Sequence, residues 1–188
     1  SLGLFVGALL LTNVYPLVQP AGHPTGAVSW FMSKSSIVII VGIFQVLFTL
    51  LILHFGLGLQ VDNFALLVLT VEVTSFTFLA IVQVFTVVLG DVGRFLALIF
   101  LIIQLAGSAG TFPLELLPGP LQAVHNYLPM TYSVNAFRAV ISSNDYGTLA
   151  QCLAVLSVVG VICVAISFGF FTLLYKRRYS KTVAAEQA

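Results

Sequence analysis

Glu72 is the residue of this sequence with the most chemistry to explain. It stands about nine residues into an apolar run, roughly 13 Å along the axis at the rise of an α-helix. A carboxylate at that depth costs at least about 2.5 kcal/mol on insertion scales, so Glu72 is expected to face protein or water rather than lipid. At about 100° per residue, Ala65, Glu72, Ser75, Gln83 and Thr86 share one helix face, with Leu79 the bulky apolar member. Such a stripe can line a path or meet a second subunit. Equally, a protonated Glu72 can bond inside a helix bundle. Gln104, Glu115, Asn135 and Arg138 are further polar side chains set among apolar ones, and Asp91 and Arg94 flank a short turn.

The parts of covalent and metal chemistry do not assemble. His23, His54 and His125 are isolated from one another in sequence. Cys152 and Cys163 share the last apolar run and would lie roughly 16 Å apart on one helix, too far to bridge. Neither a His-Glu-x-x-His, a Cys-x-x-Cys nor a nucleophile-elbow pattern occurs. No catalytic, cofactor or metal residue is therefore assigned, and the chain is not read as an enzyme. It also lacks the Gly-x-x-x-x-Gly-Lys-Ser/Thr loop, so any ATP hydrolysis falls to another polypeptide.

The elements that must carry these residues are membrane helices. Sixty per cent of the 188 residues are hydrophobic, 7% are charged and mean hydropathy is +1.12. A soluble domain needs about 25% charged residues to face water; lipid must cover this one. The net charge of +1 says nothing for nucleic acid, since no basic patch exists outside the tail, and no nucleic-acid partner is expected. Five apolar runs, at 2–18, 36–55, 64–89, 92–110 and 149–175, approach or reach the length of a crossing, which takes about 20 helical residues. Asp62-Asn63 and Asp91 sit where helix caps belong, and Thr148 with Gln151 has capping-box spacing. Gly3 and Gly7 form a GxxxG pair, and Gly42, Gln45, Thr49, Ile52 and Gly56 form a second stripe suited to close helix packing.

Basic residues set the expected topology. A cytoplasmic C-terminus puts Lys34, Arg94, Lys176, Arg177, Arg178 and Lys181 inside and only Arg138 outside, as the positive-inside rule requires. Five crossings then place residue 1 outside. The chain opens in an apolar run without methionine or basic leader, so an earlier helix or a cleaved signal is expected before it.

Residues 111–148 break the pattern with Pro113, Pro118, Pro120 and Pro129. Two short amphipathic helices at the outer interface, or dipping into it as a re-entrant segment, are expected here. The first carries Leu121, Val124 and Leu128 on one side. The second is capped by Thr131 and sets Val134, Phe137, Val140 and Ile141 against Asn135, Arg138 and Ser142. Backbone of this kind must be buried in protein or face a water-filled cavity. A bond between Arg138 and Glu115 is expected to fix the two helices over the bundle, with snorkelling of Arg138 to headgroups as the alternative. Residues 144–147 form an exposed turn.

Three segments are distinctive. They are Gly90-Asp91-Val92-Gly93-Arg94-Phe95, the run from Gln104 through Pro113 and Glu115 to Pro118, and Tyr127-Leu128-Pro129-Met130-Thr131-Tyr132-Ser133-Val134-Asn135-Ala136-Phe137-Arg138. Together they resemble the C-terminal membrane domain of the YhgE/Pip (phage infection protein) family, itself similar to the permeases of type-2 ABC exporters. The resemblance implies one earlier transmembrane helix, then a large external domain, then the helices of this chain. It also implies a bacterial cytoplasmic membrane, that of a Gram-positive cell, with residues 113–141 as an external gate region. Two functions follow. One is a permease-like domain moving an amphipathic substrate or polymer outward with a separate ATPase, as a homodimer or hetero-oligomer. Residues 19–35 would supply a coupling segment, because Trp30, Phe31 and Met32 suit an interface. The other is a non-transporting anchor or scaffold, serving as phage receptor or secretion-apparatus component.

Overall fold

The computed structural model describes residues 1–18, 26–59, 61–108, 119–143 and 145–178. Among these residues every regular element is helical. Helix α1 spans Leu2–Val14, α2 Ala27–Leu51 with a π-type turn at Ile52–Gly56, α3 Phe64–Leu89 and α4 Asp91–Gly107. Two short helices follow: α5 (Gly119–Val124), leading through a 3-10 turn at His125–Tyr127, and α6 (Pro129–Arg138), closing with a π-type turn at Ala139–Ser143. Helix α7 runs over Tyr146–Arg178. The chain is an all-α integral membrane bundle.

Helices α2, α3 and α7 are each long and apolar enough to cross a membrane alone, whereas α1 is shorter. At 1.5 Å per residue α1 is about 20 Å long and α4 about 26 Å. Helix α3 is the axis of the bundle, packing against α1, α2, α4 and α7. It is buried over most of its length, while α2 and α7 leave most of theirs to lipid. Phe5 of α1 and Phe78 of α3 meet edge-to-face at 5.2 Å in the core, with Phe100 of α4 beside them.

Several helix ends differ from the sequence reading, each for a local reason. Helix α1 stops at Val14 because Pro16 forces Tyr15 into an extended conformation, φ −111° and ψ 122°. Helix α2 begins at Ala27, not residue 36. Its first turns bury Trp30 and Phe31 edge-to-face against Phe168 and Phe171 of α7, so neither is an interfacial side chain. Only Met32 of that trio is exposed. The remainder of the expected coupling segment, 19–25, lies outside the described residues.

Asn63 does cap α3, accepting from the Leu66 N–H at 3.2 Å. Asp91 is no cap: Gly90, with φ +63°, holds that position and Asp91 lies in the first turn of α4. Proline, not Thr131, opens α6, since Pro129 needs no hydrogen-bond acceptor in the first turn. Helix α7 starts two residues before Thr148, because Asp145 caps it instead of the expected Thr148–Gln151 box.

Candidate functional site

Chemistry-bearing residues gather in two places, a clamp at one end of the bundle and a wedge on its side. The clamp starts at Gln104, the last polar residue of α4, which is fully buried. Its Oε1 accepts the Met130 N–H at 2.9 Å, one of the amides that opening a helix leaves unpaired. Half-buried His125 lies 2.6 Å from the Gly107 carbonyl through Nδ1. A carbonyl only accepts, so Nδ1 carries the hydrogen. Thr131 closes the loop by donating its hydroxyl to the His125 carbonyl at 2.7 Å. These bonds tie the end of α4 to the start of α6.

Helix α6 packs on α7. Ser133, Ala136 and Ala139 are buried, while Val134, Phe137 and Ile141 are only partly covered. Of the expected apolar stripe, Val140 is buried in the core and Val134, Phe137 and Ile141 pack against it, while Arg138 and Ser142 are exposed. Val134, Phe137 and Ile141 also line a cavity of about 350 Å³ with Leu105, Ser108, Met130 and Arg138. Arg138 is exposed, Asn135 half-buried, and Glu115 lies outside the described residues, as does the expected Glu115–Arg138 bond.

The wedge forms on α3. At one end α2 and α7 close over α3 through Trp30, Phe31, Phe168 and Phe171. Further along they part. A cavity of about 410 Å³ opens between α3 and α7, lined by Glu72, Phe76, Thr77, Ala80, Ser157 and Gly160 among others. A second of about 250 Å³ lies between α2 and α3, lined by Ile43, Val46, Leu47, Leu50, Glu72 and Phe76. Glu72 and Phe76 belong to both and form the floor. The stripe expected along α3 therefore divides: Ser75, Leu79, Gln83 and Thr86 are buried, whereas Ala65 and Glu72 are exposed.

Two packing devices hold these places. A Cβ on Gly42 would come within 2.8 Å of Leu79 and 3.0 Å of Phe76, so this glycine lets α2 reach α3. Gln45 donates to the Leu4 carbonyl of α1 at 2.5 Å, and Gly7 leaves room for its amide. Gly3 meets nothing, so only half of the GxxxG pair is a contact. In the α3–α4 turn, Arg94 and Asp91 pair at 2.9 Å on the surface. Sequence reasoning counted Lys34 only as an inside charge and missed its burial. It is buried in α2, donates to the Tyr15 hydroxyl at 3.2 Å and the Pro16 carbonyl at 2.8 Å, and sits over the Tyr15 ring. Its signal was the aromatic and proline end of the preceding run, a ready acceptor for a nearby lysine.

No solved structure matches this chain. It is 44% identical over 177 residues to the uncharacterized protein YhgE of Bacillus subtilis (strain 168), an alignment covering 94% of this chain and 23% of that protein. The chain thus spans under a quarter of the length of this relative. The family model described as "ABC-2 family transporter protein" matches residues 23–168. That stretch holds the wedge, the clamp and every helix from α2 into α7, and by it the chain belongs to the ABC-2 family of transporter membrane proteins.

Proposed function

We propose that this chain is the permease-like membrane domain of an exporter that moves an amphipathic substrate outward, driven by a separate ATPase. The observation that carries this reading is the family match over residues 23–168. Geometry agrees with it: a membrane bundle with a lateral wedge at mid-helix and a clamped segment at one end has an entry and a cap for such a substrate. The proposed orientation has the C-terminus in the cytoplasm and the N-terminus of this chain outside, after one earlier helix and an external domain. The working form would pair two copies or join a related permease. Affinity purification of the native protein from its bacterial membrane tests the reading. A stoichiometric nucleotide-binding subunit, with ATP-dependent efflux after reconstitution, is the expected result. Absence of both under gentle solubilisation would overturn it.

A second reading, a non-transporting anchor for a phage receptor or secretion component, is favoured by one fact. More than three quarters of the related YhgE chain lies beyond the aligned part. Deleting only the membrane helices separates the two. An anchor keeps its activity when retethered by an unrelated helix, and a permease does not.

A further inference from the structure

We propose that the wedge at Glu72 binds a lipophilic organic cation that enters from the bilayer, with the Glu72 carboxylate as its counter-ion. Glu72 is exposed on the membrane face of α3, and it has no hydrogen bond or ion pair among the described residues. No basic side chain lines either cavity. Lys34 is committed to Tyr15 and Pro16, and Arg94 to Asp91. Arg138 lines the separate cavity beside α6. Among the described residues the wedge therefore holds a carboxyl group at membrane depth and no lining charge to balance it.

The lining selects the kind of cation. Beside Glu72 the wedge offers the Phe76 ring, the Ser157 hydroxyl, and otherwise apolar or small side chains, the Thr77 hydroxyl being bonded to the Val73 and Leu156 carbonyls. A hard metal ion would require about six oxygen ligands, which these residues do not provide. An aromatic ring and an apolar wall suit a weakly hydrated organic cation, whose charge the ring face also attracts. At about 410 Å³ the larger cavity lies within the usual range for a small-molecule site, roughly 300–1,000 Å³. Its volume comes from Ala80, Ser157 and Gly160, residues too small to fill the gap between α3 and α7. A lipid tail would fill the wedge yet leave the carboxylate uncompensated. A second copy would bring the same rim of Ile43, Leu47, Val161 and Val164, and no cation.

The proposal goes beyond the permease reading, because binding is expected whether or not the chain transports. Its failure and that of the ATPase test are thus separate events. The whole chain in lipid nanodiscs is titrated with tetraphenylphosphonium, and with tetraphenylborate as the anion of the same shape. Saturable binding of the cation alone is expected. Glu72→Gln, which keeps the side-chain shape, should weaken it at least about tenfold, a change of about 1.4 kcal/mol. Glu72→Asp should retain part of it. Ser157→Leu, at an exposed position, should block binding with Glu72 intact. Equal affinity in Glu72→Gln, or saturable binding of the anion, would overturn the proposal. So would disulfide formation between copies of a Val161→Cys chain at a yield that the cation does not change, which would make the wedge an interface.

Discussion

Gly93 shows how little space separates helices in this bundle. A Cβ placed on it would lie 1.8 Å from the Phe85 carbonyl oxygen and 2.5 Å from its carbon, both backbone atoms that cannot swing aside. Gly93→Ala should therefore destabilise the domain by more than the 1–3 kcal/mol typical of overpacking, read as a lowered unfolding midpoint in detergent. Gly3→Ala, with no neighbour to strike, should leave the midpoint unchanged. The sequence shows both residues as glycines in or beside apolar runs, and spacing alone ranks the Gly3–Gly7 pair highest. What separates them is which face of each helix meets a backbone, and periodicity cannot supply that when apolar residues surround the helix. For the same reason Glu72 was legible as a residue needing explanation, but its place at the meeting of two grooves was not. Lys34 was read as a cytoplasmic loop charge because the start of α2 was placed too late.

At the scale of elements, the clamp and the cap of α7 each carry a prediction. Gln104→Leu removes the acceptor of the Met130 N–H and leaves that buried donor unpaired, at a cost of about 1–3 kcal/mol. Hydrogen exchange should speed up in α6 while the amides of α1 and α2 keep their protection. Uniform loosening would mean that the clamp is not a local device. At the start of α7, Asp145 accepts from the Thr148 hydroxyl and from the N–H groups of Thr148 and Gly147. The Thr148 hydroxyl leads in holding its carboxyl below the usual carboxylate range. A depressed folded value means that this contribution is complete above the unfolded carboxylate range and is lost as pH falls through the folded value. Asp145→Asn keeps an acceptor oxygen but not the charge. Its unfolding midpoint should lie below that of the wild type at neutral pH, and the gap should close on acidification. A pH-independent gap would count against the ionised cap. Asp145 was visible in the sequence as part of a turn, and the Thr148–Gln151 spacing masked it as the true cap.

For the molecule as a whole, class was the easiest property to read, since 7% charged residues cannot face water around 188. The grooves that form the wedge were not readable, because periodicity does not show which faces of α2, α3 and α7 meet, nor that Trp30 and Phe31 interlock with Phe168 and Phe171. The proposed orientation has a direct test. Cysteine introduced at Asp145 should react with an impermeant thiol reagent in intact cells, and cysteine at Lys181 should not. The reverse pattern would rule the orientation out. The tight α3–α4 joint also has a bearing on biosynthesis. Helix α4 is not among the helices that satisfy the requirements for crossing alone, and it carries Arg94 and Gln104. Its partner α3 does satisfy them, and Gly90 separates the two by a single residue. The pair should leave the translocon together as a helical hairpin, with α3 carrying α4 into the bilayer. A chain truncated to begin after Leu89 would then leave α4 stranded at the membrane surface.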